Sequence, residues 1–226
     1  MSNSGRSSSN EATRILIVDD HPLLREGLAA RITSQPDWVV CGEAASVDEA
    51  LAQIKQTHPD LAIVDIQLSG SHGLELIKQL HDDFPEIRTL VVSAYDESLY
   101  GERALRAGAH GYINKRELQD NIVIALQTVL AGQRYMSAAL TRQLVSQAIS
   151  GKGASHSDPV QTLSDRELEV FQLIGRGETT GAIARQLHLS TNTIDTHREK
   201  LRRKLGVKTG AELMQRAVQW VLENGG

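Results

Sequence analysis

The feature that most constrains the fold is a regular alternation of short apolar segments with longer amphipathic segments between residues 14 and 131. The apolar segments are rich in β-branched and aliphatic residues, which favours strands, and they span 14–18, 39–45, 61–66, 89–94 and 111–114. The amphipathic segments have helical length and periodicity and span 22–33, 46–56, 73–83, 97–107 and 116–131. This alternation predicts an α/β doubly wound sheet of five parallel strands with helices on both faces.

Three of the apolar segments, ILIVDD, LAIVDI and TLVVSA, are almost continuously apolar, which is typical of central strands that are covered on both faces. Each of them ends close to a polar residue. Ligands of doubly wound sheets bind beyond the carboxyl ends of the strands, so these polar residues predict a site. The topology should bring together five side chains that are distant in sequence: Asp19, Asp20, Asp65, Ser93 and Lys115.

Three carboxylates at one edge of a sheet repel one another unless a cation lies between them. Oxygen ligands without Cys or clustered His favour a hard divalent ion such as Mg²⁺. With such an ion bound, one Asp can attack phosphorus and form an aspartyl phosphate, while Lys115 offsets charge on the phosphoryl oxygens. Ser93 supplies a hydroxyl that can hydrogen-bond a phosphoryl oxygen. Charge alone leaves open which Asp reacts.

The segments LIVDDHPLLREGL, VDIQLSGSHGLEL, VVSAYDE and AGAHGYINK resemble the receiver domains of bacterial response regulators over residues 13–133. The resemblance implies a flavodoxin-like fold and a regulator, not an enzyme, in which a sensor histidine kinase phosphorylates Asp65 and autodephosphorylation is slow. It also implies that Mg²⁺ or Mn²⁺ is held by Asp19, Asp20, Asp65 and the backbone carbonyl of Gln67. Ser93, Tyr112 and Lys115 match the switch hydroxyl, the switch aromatic residue and the phosphate-binding lysine of the family.

Two features qualify the resemblance. Arg116 follows the lysine where many receivers have Pro, a difference that need not impair phosphorylation. Gln67 and Tyr95 lie two residues beyond Asp65 and Ser93, at positions that flank the path of the hydrolytic water in the family. We hypothesise that the bulky Tyr95 ring slows dephosphorylation.

The chain from residue 162 onward is helical in pattern, and Ser164 and Thr209 each begin a capping box. A short amphipathic segment at 180–187, a turn at 188–190 and a longer basic segment at 191–205 fit a helix-turn-helix. Six positive charges fall within eleven positions, a density that suits salt-dependent contacts with DNA phosphates: Arg198, Lys200, Arg202, Arg203, Lys204 and Lys208.

The segments LSDRELEV, IARQLHLS, TIDTH and KLGV are similar to the LuxR-type helix-turn-helix over residues 162–221. This resemblance implies an all-α, four-helix DNA-binding domain whose further DNA contacts are Thr193, Asp195, Thr196, His197, Arg198 and Glu199. Many relatives have Lys or Val where this chain has Asp195, Thr196 and Glu199, so we expect a different base preference. Together the two resemblances imply a NarL/FixJ-type response regulator that controls transcription and binds double-stranded promoter DNA as a homodimer.

Charge and composition divide the chain in the same way. Residues 13–133 carry 10 Lys and Arg against 18 Asp and Glu, whereas residues 162–226 carry 10 against 8. Residues 1–12 are rich in Ser and Asn and predict a disordered tail, and residues 134–161 predict a linker with a short helix at 138–149. With no long apolar segment or signal peptide, we expect a cytoplasmic protein without a membrane partner. The lone Cys41 excludes an intramolecular disulfide and a Cys-rich zinc site.

The sequence leaves the coupling between the domains open. Either the receiver masks the basic helix until it is phosphorylated, or phosphorylation mainly promotes dimers on paired half-sites. Three other functions compete: an Asp-nucleophile phosphatase or phosphotransferase, a DNA-binding protein that ignores phosphorylation, and a ligand-sensing quorum regulator. Against the first, no second acid stands two residues after Asp65 to serve a leaving group. Against the last, the N-terminal half resembles a receiver.

Overall fold

The structure is a computed structural model and describes residues 12–68, 71–149 and 159–224. Residues 1–11 of the predicted tail and 150–158 of the predicted linker lie outside the described residues. The N-terminal part contains β1 (Thr13–Val18), α1 (Pro22–Thr33), β2 (Trp38–Ala44), α2 (Val47–Thr57), β3 (Leu61–Val64), β4 (Gln67–Leu68), β5 (Ser71–His72), α3 (Gly73–Asp83), β6 (Arg88–Ser93), α4 (Glu97–Arg106), β7 (Gly111–Asn114) and α5 (Leu118–Leu130). The helices that follow are α6 (Ala138–Ile149), α7 (Asp165–Gly175), α8 (Thr180–Gln186), α9 (Thr191–Leu205) and α10 (Gly210–Asn224).

Five strands form one parallel sheet in the order β2-β1-β3-β6-β7, which confirms the predicted doubly wound fold. All four residues of β3 and the last four of β1 are buried, as continuously apolar strands require. Two-residue strands β4 and β5 form a separate antiparallel hairpin directly after β3. Because the sheet is parallel, the residues that follow β1, β3, β6 and β7 meet at one edge.

The two faces of the sheet are covered by different helices. On one face, Leu28 and Ile32 of α1 pack with Ile122 and Leu126 of α5. On the other face, apolar side chains of α2, α3 and α4 form a second cluster that continues into the C-terminal helices. The receiver-like part and the helical part therefore share a continuous apolar core on one side of the sheet.

Capping side chains begin several of the helices. The Asp96 carboxylate accepts a hydrogen bond from the Ser98 N–H at 2.7 Å and begins α4. The predicted capping box at Ser164 is confirmed: its hydroxyl accepts from the Glu167 N–H while the Glu167 carboxylate accepts from the Ser164 N–H. Ser190 caps α9 by accepting from the Thr193 N–H at 3.1 Å. Such caps satisfy backbone N–H groups that the first turn of a helix leaves without partners.

The segment between α5 and α6 lies along the outer edge of the sheet. Tyr135 forms a parallel bridge with Gly111, accepting a hydrogen bond from the Tyr112 N–H at 2.8 Å and donating one to the His110 carbonyl at 3.1 Å. A Cβ at Gly111 would lie 2.9 Å from the Tyr135 carbonyl oxygen, so a glycine is needed for this close approach. The Ser137 N–H also bonds the Glu97 carboxylate at 2.9 Å, which ties the start of α6 to α4.

Helices α7 to α10 form the C-terminal domain around a core that contains Phe171, Ile183, Ile194 and Leu201. The predicted helix-turn-helix corresponds to α8, the turn after it and α9. Three buried residues of α9 face inward and leave its opposite side exposed. Within the described ranges, no helix is both long and apolar enough to cross a membrane.

Candidate functional site

The predicted acidic residues converge at the carboxyl edge of the sheet. Asp19 and Asp20 follow β1, and Asp65 follows β3. Each offers a carboxylate oxygen to a group, completed by the His21 imidazole, in which all the atoms lie within 4.8 Å of one another. Asp19 and Asp65 are each only 2% exposed. Two of these carboxylates are therefore held close together and almost out of water.

We call the site formed by Asp19, Asp20 and Asp65 the acidic pocket. Lys115, which follows β7, supplies its positive charge. Its ammonium lies 2.6 Å from Oδ2 of Asp65 and 2.8 Å from Oδ2 of Asp19. Burial acts to lower the pKa of Lys115, but the two carboxylates outweigh burial and raise that pKa above its ordinary value. The lysine is thus firmly protonated and links two strands through one cation.

Lys115 offsets only part of the cost of burying the negative charge of the Asp65 carboxylate. Burial raises the pKa of Asp65 to about 6, and the charge of Asp19 adds to the effect, although the Lys115 ammonium opposes both. The Gln67 backbone N–H also acts to lower this pKa, but the buried Oδ1 of Asp65 has no hydrogen-bonding partner of good geometry among the described residues. Such a buried anionic oxygen needs a positively charged partner. With two further carboxylates beside it, it suits a hard divalent cation such as Mg²⁺. Gln67 begins β4 two residues later, so its carbonyl is close in sequence to this pocket.

Gly73 shapes the backbone beneath the acidic pocket. Its N–H donates a hydrogen bond to the Ile66 carbonyl at 2.7 Å. A Cβ at this position would overlap the carbonyl oxygen of Asp65 and lie 2.9 Å from Cα of Ile66. The first residue of α3 therefore has to be a glycine for the chain to turn so closely past Asp65.

His21 also lies with the acidic residues, although the sequence analysis did not single it out. Its Nδ1 lies 2.7 Å from Oδ1 of Asp20 and 3.1 Å from Oδ1 of Asp19, while its ring is 62% exposed. Its position directly after Asp20 was the available signal. Arg25 is a second unpredicted neighbour, because its guanidinium donates to the Asp19 carbonyl at 2.6 Å.

Ser93 and Tyr112, the predicted switch residues, are both buried and both reach the backbone of Tyr95. The Ser93 hydroxyl accepts a hydrogen bond from the Tyr95 N–H at 3.2 Å. The Tyr112 hydroxyl donates to the Tyr95 carbonyl at 2.8 Å, and the Asn114 amide donates to the same carbonyl at 3.0 Å. The structure thus gathers the ends of β6 and β7 around one residue, Tyr95.

Tyr95 and two residues of α4 also contact the C-terminal domain through α7. The Tyr95 hydroxyl donates to the Glu169 carboxylate at 2.5 Å, and the Tyr100 hydroxyl donates to the Gln172 side chain at 3.2 Å. A third contact joins Arg103 to Asp165 at 2.8 Å. These contacts define the interdomain interface, in which α7 lies against the segment from Tyr95 to Arg103.

The predicted DNA-contacting residues lie on or next to α9. Its outer face is exposed at Asp195, Thr196, Glu199, Lys200 and Arg203, and the other predicted residues of the helix, apart from Lys204, are partly buried: Thr193, His197, Arg198 and Arg202. Lys208 follows the helix and is exposed. The receiver contacts α7 and leaves this face open, so the arrangement described is not one in which the receiver masks the basic helix.

Lys204 points back towards its own domain. Its ammonium lies 2.6 Å from Oε2 of Glu167 and 3.4 Å from the Thr162 carbonyl oxygen. Burial acts to raise the pKa of Glu167, but hydrogen bonds from Lys204 and Ser164 outweigh burial and hold that pKa below its ordinary value. This ion pair joins the start of α7 to the end of α9.

Comparisons with known proteins cover both parts of the chain. Residues 15–127 match the family described as response regulator receiver domain, and residues 161–217 match the bacterial regulatory proteins of the luxR family. The oxygen regulatory protein NreC of Staphylococcus aureus (strain MRSA252) is 34% identical over 210 residues, which cover 91% of this chain and 97% of NreC.

Solved structures agree with these matches. A LuxR-family two-component response regulator from Aurantimonas sp. SI85-9A1 is 32% identical, with a TM-score of 0.56, and the match covers 62% of this chain and 99% of that one. RcsB from Salmonella typhimurium is 22% identical, covers 92% of this chain and 98% of its own, and has a TM-score of 0.64, which shows a shared fold.

The family matches account for the receiver-like sheet and for the basic helix-turn-helix, and the similarity to NreC runs through both. The chain therefore belongs to the two-component response regulators of the NarL/FixJ type, and it is a phosphorylation-dependent regulator of transcription in which a receiver domain is joined to a LuxR-type DNA-binding domain.

Proposed function

We propose that Asp65 is the residue that accepts the phosphoryl group and that a sensor histidine kinase supplies it. The observation that most supports this assignment is the state of the Asp65 carboxylate. It is 2% exposed, one of its oxygens lies 2.6 Å from the Lys115 ammonium, and the other forms no hydrogen bond of good geometry within the described part of the chain. A nucleophilic oxygen and a positive charge for the incoming group are thus side by side.

During transfer, an oxygen of Asp65 forms a bond to phosphorus while the bond from phosphorus to the kinase histidine nitrogen breaks, and that nitrogen keeps the electron pair. A pKa of about 6 leaves Asp65 largely ionised at neutral pH and able to attack. Lys115 transfers its ion pairing from the carboxylate to a phosphoryl oxygen, and the Ser93 hydroxyl donates to another. A Mg²⁺ or Mn²⁺ ion, which Asp19, Asp20, Asp65 and the Gln67 carbonyl would hold, offsets phosphoryl charge when bound.

We propose further that the outer face of α9 enters the major groove of DNA. Exposed Lys200, Arg203 and Lys208 carry the charge needed for phosphate contacts. Exposed Asp195 and Thr196 present short polar side chains that suit base edges, where an acid accepts from a cytosine amino group and Thr meets a thymine methyl. This division assigns affinity to the basic residues and sequence preference to the acidic and hydroxyl residues.

A homodimer on DNA is supported by the surface of α10. Met214, Val218 and Leu222 repeat every fourth residue, so they lie along one side of the helix. They are 44%, 37% and 81% exposed, respectively. A contiguous apolar stripe on a regulator surface suits contact with the same stripe of a second copy, as a two-fold dimer requires.

The test compares wild type with Asp65→Ala, using Asp82→Ala as a control because Asp82 is an exposed carboxylate of α3. Each protein is incubated with a small-molecule phosphodonor and Mg²⁺, and intact mass and binding to DNA selected from a random pool are measured. We expect wild type and the control to gain one phosphoryl group and to bind selected DNA more tightly, whereas Asp65→Ala does neither. A phosphoryl group on Asp65→Ala would refute Asp65 as the acceptor, and DNA affinity that does not respond to phosphorylation of wild type would refute the control of DNA binding by that group.

A further inference from the structure

His21 places an imidazole nitrogen beside the acidic pocket. Its Nδ1 lies 2.7 Å from Oδ1 of Asp20 and 3.1 Å from Oδ1 of Asp19. Four side chains each offer one ligand atom to a group in which all the atoms lie within 4.8 Å of one another: Asp19, Asp20, His21 and Asp65. The nitrogen is therefore offered to the same small volume as the carboxylate oxygens.

The backbone of His21 is held in place, but its ring has no capping role. His21 occupies the N-cap position of α1, and its side chain caps none of the described backbone N–H groups. Its own N–H donates to Oδ1 of Asp19 at 2.8 Å, and Pro22 restricts it to the extended conformation that it has here. The ring is 62% exposed, so an ion from solvent can reach it.

The distances from the imidazole to the carboxylates suit neighbouring ligands of one ion. In an octahedral site with metal–ligand bonds of about 2.1 Å, adjacent ligand atoms are about 3.0 Å apart. The His21 nitrogen is 2.7 and 3.1 Å from the two nearest carboxylate oxygens. Hydrogen bonds have similar lengths, so the choice between a ligand and a hydrogen-bonding neighbour depends on the rest of the pocket.

The rest of the pocket favours an ion. Asp65 is 2% exposed, and its Oδ1 has no hydrogen-bonding partner of good geometry among the described residues. At neutral pH the three carboxylates and the Lys115 ammonium together leave two negative charges uncompensated, which equals the charge of one divalent cation. A neutral imidazole adds a ligand to that cation and leaves this balance unchanged.

We propose that His21 is a direct ligand of the divalent ion and makes the acidic pocket selective for first-row transition ions over Mg²⁺. This inference rests on the proposed function, in which the same ion assists phosphorylation of Asp65. Mg²⁺ prefers oxygen ligands, whereas imidazole suits transition ions, and the affinity of a given site rises from Mn²⁺ to Co²⁺. The nitrogen therefore adds little to binding of Mg²⁺, more to binding of Mn²⁺ and most to binding of Co²⁺.

The test measures the affinity of the full chain for Mg²⁺, Mn²⁺ and Co²⁺ by isothermal titration calorimetry. His21→Asn removes the imidazole, while the new amide can still cap α1 and donate a hydrogen bond to a carboxylate. His58→Asn is the matched control, because His58 is exposed and precedes β3, at the opposite edge of the sheet from Asp65. Its φ is 45°, a conformation that Asn adopts readily, so this variant should fold.

We expect His21→Asn to weaken binding of Co²⁺ by about a hundredfold and of Mn²⁺ by about tenfold, and to change binding of Mg²⁺ by less than about threefold. Even groups that only orient a metal ligand contribute about ten- to a hundredfold to affinity, so a direct ligand should contribute as much. His58→Asn should leave all three affinities unchanged. An equal loss for the three ions, or no loss for any of them, would overturn the proposal.

Pulsed electron paramagnetic resonance of bound Mn²⁺ separates a direct ligand from a hydrogen-bonding neighbour. Wild type and His58→Asn should show the hyperfine coupling of a directly coordinated nitrogen, which changes when the histidines are labelled with ¹⁵N, and His21→Asn should lack it. Absence of this coupling from wild type would refute the proposal. Wild type that binds Mg²⁺ without preferring Mn²⁺ refutes only the role of His21, whereas wild type that binds no divalent ion also refutes the ion site of the proposed function.

Discussion

The Lys115 ammonium lies 2.6 Å from Oδ2 of Asp65 and 2.8 Å from Oδ2 of Asp19, so two nearly buried carboxylates that follow different strands share a single cation, which offsets only part of their charge. Nothing else of positive charge is as close to Asp65 in the ion pairs of the described residues. The folded receiver therefore depends on this lysine for the counter-charge of its buried carboxylates.

We expect Lys115→Met to lower the free energy of unfolding by about 3 kcal/mol in the presence of a chelator, because two buried carboxylates lose their counter-charge. Excess Mg²⁺ should restore a large part of the loss. Urea denaturation with and without Mg²⁺ measures both effects. Lys55→Met, which removes an exposed lysine of α2, should change stability by less than about 0.5 kcal/mol. Stability of Lys115→Met that is insensitive to Mg²⁺ would contradict the proposed ion site.

Asp65→Asn should stabilise the protein, and the gain should depend on pH. The pKa of Asp65 is raised from 3.8 to about 6 in the folded protein, so the folded state binds this proton more tightly than the unfolded state does. Stability of wild type is therefore lost as the pH rises from 3.8 to 6 and the loss is complete above that window.

The gain in Asp65→Asn should accordingly be about 3 kcal/mol at pH 7 and should disappear as the pH approaches 4. Denaturation curves collected across this range in the absence of divalent ions measure the difference. A gain of equal size at pH 4 and pH 7 would show that ionisation of Asp65 is not its cause.

Two glycine-to-alanine substitutions should change the stability of the protein in opposite directions. Gly73→Ala places a Cβ onto the carbonyl oxygen of Asp65 and should cost about 2–3 kcal/mol, together with slower phosphorylation. Gly27→Ala lies in the interior of α1 with nothing within 4 Å of the new Cβ, and it should stabilise the protein by up to about 1 kcal/mol. Thermal unfolding and rates of phosphoryl incorporation test the pair. Normal phosphorylation of Gly73→Ala would mean that the backbone at Asp65 tolerates displacement.

Substitution of Lys200 should affect mainly DNA binding, whereas substitution of Lys204 should affect mainly the stability of the domain. Lys200 is exposed on the outer face of α9, so Lys200→Ala should reduce the slope of log affinity against log salt concentration by about 1 and leave stability unchanged. Lys204 pairs with Glu167, so Lys204→Ala should cost about 1 kcal/mol of stability and change the salt slope less. Binding isotherms at several salt concentrations decide the matter, and identical slopes for both variants would assign Lys204 to DNA as well.

The acidic pocket could be predicted because all strands of a parallel sheet end at the same edge, so residues that directly follow the strands lie close together. Apolar residues that end in Asp19 and Asp65 place both carboxylates at one edge, and Lys115 reaches them from the last strand. The sequence offered no such rule for the hairpin of β4 and β5, whose two-residue strands are too short to show a periodicity. The bridge at Tyr135 was missed for the same reason.

Interdomain contacts were beyond sequence reasoning for a different reason. Tyr95 was singled out because it lies two residues beyond Ser93, yet its hydroxyl bonds Glu169, a residue of α7 that is 74 positions away. The choice of surfaces depends on which buried polar groups satisfy one another across the interface, and no spacing along the chain encodes that. Likewise, the density of positive charge in the sequence suggested that Lys204 contacts DNA, but it gave no sign that Lys204 forms an ion pair with Glu167.

The pairing of Tyr135 with β7 has a consequence for how this protein behaves among other copies. An outer strand with free backbone groups is a template for strand addition from another molecule. Here the chain's own linker occupies that position from His110 to Tyr112 through the backbone hydrogen bonds of Tyr135. The receiver sheet is therefore closed to strand addition along this part of its outer edge.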